Sequence, residues 1–345
     1  MKPFGWAIIG PGPIAHKFAE AVTGINNAAL MCILGRDLSR ASAFADQWCP
    51  DGRVPGQTNS RATDSIDAML RDPSVEAVYI ATPHAFHADA IRRCLQAGKP
   101  VLCEKPLVTD AVTAASLIAL SRQQNVFLME AVWTRFLPIY EEVRAWLQRG
   151  AIGAVRSMQS SFCFNTTWNP ASRLFDPAQA GGALLDIGIY NLTVTRWVLA
   201  ASLGHCPQVE RIHSMASIGP TGVDHFVAAT LQFPNNVTSQ FVCSLESDAD
   251  NSFHIHGERG SITIHRPFWG ASVATLAQTD KVAITVDRPL RINGFEGEIE
   301  VAMRGIVAGK IESVAMPHEE TRQTLEWMDR IRTQVGVRYP FEVIE

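Results

Sequence analysis

The chain has 345 residues, of which 47% are hydrophobic and 19% are charged, and its formal net charge is -4. This composition supplies apolar material for two globular domains, and the weak negative charge gives no reason to expect a nucleic-acid partner. The seven cysteines include no Cys-x-x-Cys pair and are typical of buried reduced thiols, so we expect a cytoplasmic protein. No basic, apolar leader precedes the first predicted strand, and Asp186 and Arg196 interrupt the longest apolar segment, so neither export nor a membrane span is expected.

Through residue 130, short apolar runs alternate with helical patterns. The apolar runs fall at residues 5–9, 28–34, 76–81, 100–103 and 126–130. The helical patterns between them fall at residues 38–48, 64–71, 85–97 and 110–124. This alternation predicts an α/β fold with a doubly wound parallel (Rossmann) sheet, which we assign to a domain of residues 1–130.

After about residue 150 the pattern changes to strand-like stretches. They fall at residues 155–164, 208–218, 224–233, 237–245 and 252–265, with one helical interruption at 182–201. A closing helix near 318–335 carries a single apolar stripe of Leu325, Met328, Ile331 and Val335. We therefore predict a second, α+β domain of residues 131–345 with a large, mostly antiparallel open sheet.

The first predicted strand runs directly into a glycine turn and a helix. Gly10 permits unusual backbone angles, and Gly12 lets the chain approach a pyrophosphate whose charge would lie at the helix start. Ala15 stands where the dinucleotide-binding fingerprint has its third glycine. The pattern predicts a dinucleotide cofactor held by a turn of Gly10, Gly12, Pro13, Ile14 and Ala15.

The second predicted strand ends at Gly35-Arg36-Asp37, where NAD enzymes usually carry an acidic residue for the ribose 2'-hydroxyl. The planar fork of Arg36 suits a 2'-phosphate, a charge-assisted contact worth about 1.5 to 3 kcal/mol. NADP is therefore the predicted cofactor, and NAD remains possible. In the alternative interpretation Arg36 is only a solvated residue, and Asp37 caps the helix that begins near Leu38.

Two polar turns, Thr82-Pro83-His84 and Glu104-Lys105-Pro106, follow strands of the predicted parallel sheet and should face the cofactor. Asp186 and Tyr190 are four residues apart on a predicted helix and should share one face. An ammonium about 4 Å from a phenol supplies roughly the 3 to 4 kcal/mol needed to make tyrosine a useful base. Lys105 and Tyr190 therefore predict hydride transfer coupled to proton transfer. In the alternative interpretation the lysine lies at the surface and the tyrosine packs in a core.

Longer motifs carry a resemblance to a known family. They are Glu130-Ala131-Val132-Trp133-Thr134-Arg135-Phe136, the segment from Gly182 to Tyr190, and Tyr339-Pro340-Phe341-Glu342. With the glycine turn and the Glu-Lys-Pro turn, they make the chain similar to the Gfo/Idh/MocA oxidoreductases over nearly its whole length. The similarity is highest to the branch of dimeric dihydrodiol dehydrogenase and NADP-dependent D-xylose dehydrogenase.

This resemblance implies roles for individual residues. Lys105 would be the catalytic lysine, Tyr190 the proton carrier and Asp186 the residue that orients substrate hydroxyls. The resemblance and the predicted sheet edge together place eight residues around the cofactor: Thr82, Pro83, His84, His87, Glu104, Lys105, Trp133 and Arg135. His87 matches the histidine of the family's Pro-Asn-x-x-His signature, whereas His84 replaces its asparagine. The predicted substrate residues are Trp133, Phe164, Asp186, Tyr190, Trp269 and Phe295.

The sequence thus predicts an NADP-dependent oxidoreductase that acts on a secondary hydroxyl of a sugar, cyclic polyol or dihydrodiol. The resemblance also implies a homodimer or higher homo-oligomer formed through the C-terminal sheet. No metal is expected, because the pairs His84/His87 and His254/His256 lack further ligands at known spacing. Two alternatives remain open: a nucleotide-dependent enzyme that cleaves glycosidic bonds, and a non-catalytic NAD(P)-sensing protein.

Overall fold

The computed structural model describes residues 2–48 and 61–342. The chain forms two compact units. The first consists of Met1–Val108, Val112–Trp133 and Arg291–Arg322, and the second of Thr109–Ala111, Thr134–Leu290 and Gln323–Glu345. The predicted domain boundary between residues 130 and 131 remains a prediction, and residues 1, 49–60 and 343–345 of the predicted domains lie outside the described residues.

The first unit contains a six-stranded parallel sheet. Its strands are β1 Phe4–Ile9, β2 Ala28–Leu34, β3 Arg61–Thr63, β4 Ala77–Ile80, β5 Val101–Glu104 and β6 Leu128–Ala131, in the order β3-β2-β1-β4-β5-β6. Its helices are α1 Pro13–Gly24, α2 Leu38–Trp48, α3 Ile66–Arg71, α4 His87–Gln96, α5 Ala111–Gln124, whose first residue belongs to the second unit, and α8 Glu296–Val307. This strand order confirms the predicted Rossmann sheet. The three-residue β3 was not predicted.

Aromatic side chains form the centre of this unit's core. Every residue of β1 is buried, as expected of a parallel strand covered on both faces. Trp6 on β1 contacts Phe18 on α1 with ring centroids 5.3 Å apart, and Phe18 stacks on Tyr79 of β4 at 3.7 Å. These ring contacts pack the middle of α1 against the sheet.

The second unit contains an eight-stranded sheet. Its strands are β7 Val155–Cys163, β8 Arg211–Ile218, β9 Asp224–Phe233, β10 Val237–Ser244, β11 Phe253–Gly257, β12 Gly260–Ile264, β13 Val273–Gln278 and β14 Ile284–Asp287, in the order β14-β13-β12-β11-β7-β10-β9-β8. The β7–β10 pair is parallel and the other pairs are antiparallel. This confirms the predicted open, mostly antiparallel sheet. The single strand predicted at 252–265 is wrong, because a turn at Glu258-Arg259 folds it into a hairpin.

Helices cover one face of this sheet. They are α6 Pro138–Gln148, α7 Ile189–Leu203 and α9 His318–Val335, of which residues 323–335 belong to this unit. The helix predicted at 182–201 begins as a π-turn, Leu184–Gly188, and continues as α7. On α9, Leu325, Met328 and Ile331 are buried as the apolar stripe predicts. Strand β9 alternates buried and half-buried residues, so its second face is only partly covered.

Among residues 2–48 and 61–342, no helix combines the length and apolar character that a membrane-spanning segment needs. Within the same ranges, no three His, Cys, Asp or Glu side chains are grouped so that they could hold a metal ion.

Candidate active site

The glycine turn of the first unit leaves open space at the start of α1. Gly10 has a φ of +90°, and a Cβ on it would lie 3.0 Å from the backbone of Ala81 and Thr82. No atom lies within 4 Å of a Cβ placed on Gly12, and Gly12 caps α1 without a side-chain hydrogen bond. Pro13 begins the helix, followed by the half-exposed Ile14 and the buried Ala15. The helix start is thus accessible to an anionic group, as pyrophosphate binding requires.

Arg36 is exposed at the end of β2. Its guanidinium carbon lies 5.9 Å from the centre of the Phe86 ring, which is itself 44% exposed. Asp37 accepts a hydrogen bond from Arg40 N at 3.1 Å and so caps α2, as the alternative interpretation predicted. Asp37 thus provides the helix cap, and the Arg36 side chain is exposed at the same point of the chain.

The two polar turns of the first unit are joined by one histidine. His87 is fully buried; its Nε2 lies 2.8 Å from the carbonyl oxygen of Thr82 and its Nδ1 lies 2.9 Å from that of Pro106. Burial lowers the pKa of the His87 imidazole, and the two carbonyl groups act in the opposite direction. His84 is buried with its ring centre 5.8 Å from that of His87. Position 87 thus holds the turn that begins with Thr82-Pro83 against the Glu-Lys-Pro turn.

Thr82 provides a second sign of a ligand at this edge. Its hydroxyl oxygen is buried and has no hydrogen-bond partner within residues 2–48 and 61–342. A buried hydroxyl without a partner costs free energy that a bound group can recover. The open turn, the exposed Arg36 and this hydroxyl fit a dinucleotide cofactor.

Glu104 anchors the turn that carries Lys105. Its Oε1 accepts a hydrogen bond from the Tyr79 hydroxyl at 2.5 Å, and its Oε2 accepts one from Lys105 N at 3.2 Å. Next along the chain, Leu107 N donates to Glu130 Oε1 at 2.9 Å. Both carboxylates act on backbone around Lys105, so the backbone at this half-buried lysine is held on both sides.

The structure divides the predicted aromatic residues between the units. In the first, Trp133 stacks on Phe295 with ring centres 5.3 Å apart. In the second, Phe162 stacks on Trp269 at 3.3 Å and contacts Phe164 at 6.4 Å. Arg135, predicted beside Trp133, belongs to the second unit and is buried.

Tyr190 lies on the first turn of α7 beside this second aromatic group. It is 6% exposed, and its ring centre is 5.5 Å from that of Phe162. Asp186 lies within the π-turn that precedes α7 and bonds through both carboxylate oxygens to Arg173, at 3.0 and 3.4 Å. One helical segment of the second unit therefore carries a phenol beside an aromatic wall and a carboxylate paired with an arginine. Such a combination is suited to polyhydroxy compounds, since rings can pack on C–H groups while charged groups can bond hydroxyls.

Several residues of these sites were not predicted. Tyr79 and Glu298 surround Glu104, and Arg173 and Asp224 surround the π-turn. Tyr79 was concealed in an apolar strand, and Glu298 and Asp224 are acidic residues that usually lie at surfaces. The Gly181-Gly182 pair is the sequence signal that could have indicated a tightly packed turn here.

Known protein families match both parts of the chain. The profile described as an oxidoreductase family with an NAD-binding Rossmann fold matches residues 4–132, and that of the GFO/IDH/MocA C-terminal domain matches residues 140–263. Over 342 residues the chain is 33% identical to trans-1,2-dihydrobenzene-1,2-diol dehydrogenase of Homo sapiens, covering 97% of this chain and 98% of the relative.

Solved structures show similar folds. The chain resembles a 3-ketoreductase from Actinomadura kijaniata in complex with NADP and TDP-benzene, with a TM-score of 0.83 and 25% identity, covering 97% of this chain and 98% of that one. It also shares the fold of an aldose-aldose oxidoreductase from Caulobacter crescentus, with a TM-score of 0.84, 21% identity and the same coverage of 97% and 98%.

Proposed function

Because this chain belongs to the GFO/IDH/MocA family of NAD(P)-dependent oxidoreductases, we propose that it moves hydride between NADP and a secondary hydroxyl carbon of a sugar, cyclic polyol or dihydrodiol. The observation that carries this proposal is the segment on which Tyr190 follows Asp186, with the Phe162 ring against the phenol. A proton carrier, a hydroxyl-binding carboxylate and an apolar wall are the groups that such a reaction needs.

In our mechanism Tyr190 exchanges the proton. During oxidation its phenolate accepts the proton of the substrate hydroxyl while hydride leaves the carbon that bears this hydroxyl. During reduction the phenol returns a proton to the newly formed alkoxide. The bound nicotinamide supplies the hydride acceptor or donor at C4. Lys105 contributes positive charge and a hydrogen bond to the reacting oxygen. The predicted coupling between Lys105 and Tyr190 remains a prediction, since the two side chains belong to different compact units.

For the cofactor, Arg36 favours NADP over NAD. Its exposed guanidinium at the end of β2 offers a bidentate contact to a 2'-phosphate. The solved 3-ketoreductase that this chain resembles holds NADP, which supports the same choice. We assign the pyrophosphate to the turn of Gly10, Gly12, Pro13, Ile14 and Ala15.

Around the cofactor and the substrate we retain the predicted roles. Thr82, Pro83, His84, His87, Glu104, Trp133 and Arg135 are proposed to line the cofactor. Phe164, Trp269, Trp133 and Phe295 are proposed to contact substrate together with Asp186 and Tyr190. The relatives named as dihydrodiol dehydrogenases and as a 3-ketoreductase support a small hydroxylated substrate.

The partly covered face of the eight-stranded sheet is our proposed oligomer interface. Gln159, Gln240, Thr230 and His213 lie next to one another across β7, β10, β9 and β8, and they line a shallow depression on the sheet. A homodimer formed through this face would cover it.

The cytoplasmic location also remains a prediction.

A substrate panel tests the proposed function. The purified protein is incubated with NADP or NAD and with aldoses, inositols and trans-dihydrodiols, and absorbance of the reduced cofactor is followed. We expect turnover with at least one diol or sugar and faster turnover with NADP. Redox-neutral release of sugar from a glycoside would favour the glycoside-cleaving alternative, and cofactor binding without turnover on any compound would favour the sensing protein.

A further inference from the structure

A buried carboxylate closes the turn that precedes α7. Asp224, the first residue of β9, is 1% exposed, and its Oδ2 accepts a hydrogen bond from Leu184 N at 2.6 Å. Its Oδ1 has no hydrogen-bond partner among the residues that the structure describes. One charged acceptor thus links a strand of the sheet to the first residue of the π-turn.

The two glycines before the π-turn leave room for this carboxylate. Gly182 has a φ of +121°, and a Cβ on it would overlap Asp224 Oδ1. A Cβ on Gly181 would lie 2.7 Å from the carbonyl oxygens of Arg173 and Leu174. The carbonyl oxygen of Gly181 accepts a hydrogen bond from the Tyr339 hydroxyl at 2.7 Å. The chain therefore enters the helix along one narrow path, with Asp224 directly against it.

The π-turn sets the angular relation between Asp186 and Tyr190. Ile189 N donates to the carbonyl oxygen of Leu184, five residues earlier, so the turn holds one more residue than an α-helical turn. Rewinding to an α-helix would rotate Asp186 relative to Tyr190, because side-chain direction follows the number of residues per turn. Leu184 is both the residue at which the wide turn begins and the residue that Asp224 holds.

We propose that Asp224 is a positioning residue whose carboxylate stabilises the π-turn against rewinding to an α-helix and thereby fixes Asp186 relative to Tyr190. A backbone N–H bonded to a carboxylate forms a stronger hydrogen bond than one bonded to a neutral oxygen. Only the kinetic consequence of this inference rests on the proposed function, because it needs Asp186 and Tyr190 to act on substrate.

The charge of Asp224 is sensitive to pH. Burial raises the pKa of its carboxyl to about 7, against the opposing effects of the Leu184 N–H and the Arg332 guanidinium. The other titratable groups that interact with it are Tyr339 and Cys243, and burial raises the pKa of both well above their ordinary values. Within this cluster, Asp224 is the group that changes charge near neutral pH.

Hydrogen–deuterium exchange of the full chain tests the structural part. We compare wild type with Asp224→Ala, with Asp224→Asn, which keeps an oxygen acceptor, and with the exposed control Asp280→Asn. Amides of residues 183–189 should exchange about tenfold faster in Asp224→Ala, less so in Asp224→Asn, and as in wild type in the control. If Asp224→Ala does not fold, Asp224→Asn carries the test. Unchanged exchange in the folded variants overturns the proposal, whatever the activity.

Kinetics test the positioning role. With the substrate found in the panel, kcat of Asp224→Asn should fall about tenfold while KM for NADP stays within about twofold. The pH profile of wild-type kcat should show an inflection near pH 7, caused by the Asp224 carboxyl, whose pKa is about 7. Asp224→Asn should lack this inflection. A kcat and pH profile like those of Asp280→Asn would overturn the proposal. By contrast, a fully active Tyr190→Phe or an inactive wild type refutes the proposed function and leaves the exchange result standing.

Discussion

Arg173 holds the carboxylate of Asp186 in a two-pronged ion pair, with Nη1 to Oδ1 at 3.0 Å and Nη2 to Oδ2 at 3.4 Å. The Asp186 side chain is 7% exposed and the Arg173 side chain is 50% exposed. Arg173 and Asp186 carry opposite charges, so the pair is locally neutral. The two hydrogen bonds fix the orientation of the Asp186 carboxylate. A hydroxyl group can bond either partner without bringing a charge, so the pair suits an uncharged polyol better than an anionic substrate.

We therefore expect Arg173 and Asp186 to act as one unit in substrate binding. Arg173→Ala removes the guanidinium that pairs with the buried Asp186 carboxylate and should lower kcat/KM at least about tenfold. Asp186→Asn should have a similar effect, and the double variant should lose less than the two single losses combined. A double-mutant cycle on kcat/KM measures this, with Arg304→Ala, an exposed arginine on α8, as control. Strictly additive losses would show that the two residues act separately.

Removing the Tyr190 hydroxyl tests the proton carrier without disturbing the aromatic wall. Tyr190→Phe keeps the ring that lies 5.5 Å from Phe162, so the fold and NADP binding should be retained. Its kcat should fall about 10²- to 10⁴-fold, the usual contribution of a general acid or base. Single-turnover kinetics and cofactor titration measure the two effects separately. Activity close to that of wild type would exclude Tyr190 as the proton carrier.

Replacing Lys105 tests the cationic group in the same way. Lys105→Met keeps a side chain of similar length and removes the ammonium. The loss of several kcal/mol of transition-state stabilisation should lower kcat at least about 10²-fold. The Glu104 bonds to Tyr79 and to the backbone of residue 105 do not need the ammonium, so the turn should persist. The exposed Lys281→Met is the matched control, and equal kcat values in the two variants would contradict the assignment.

The sequence predicted most of the first unit because periodicity and glycine chemistry are local. The strands β1 and β2 and the capping of α2 by Asp37 depend on residues close in the chain, and all were confirmed. The π-turn was missed because residues 184–199 are buried on all sides, so there is no one-sided apolar stripe whose spacing an extra residue could shift. Asp224 was missed because it meets Leu184 from 40 positions away, and no periodic pattern links residues at that separation.

Cofactor preference should depend on Arg36. Arg36→Ala removes the fork that we assign to the 2'-phosphate and should lower the ratio of kcat/KM for NADP to that for NAD by about tenfold to a hundredfold. NAD kinetics should barely change, because NAD lacks this phosphate. Arg92→Ala, an exposed arginine on α4, is the control. An unchanged ratio would mean that Arg36 is only a solvated residue.

Glu298 should make stability depend on pH. It is completely buried, neither carboxylate oxygen has a hydrogen-bond partner in the described ranges, and burial, followed by the neighbouring Glu104, raises its pKa well above the ordinary value. Burial and the neighbouring Glu104 carboxylate both favour the protonated form of Glu298, because ionisation would place a second negative charge beside the first.

At pH values above the ordinary carboxyl range, the folded chain thus retains a proton that the unfolded chain has lost. The free energy of unfolding accordingly falls as pH rises through the interval between the two pKa values, by up to about 1.4 kcal/mol per pH unit. Glu298→Gln is neutral at every pH and lacks this loss, so its melting temperature should rise relative to wild type as pH increases above the ordinary carboxyl range. The exposed Glu210→Gln should follow wild type throughout. Parallel curves for Glu298→Gln and wild type would show that Glu298 is ionised in the folded chain above the ordinary carboxyl range.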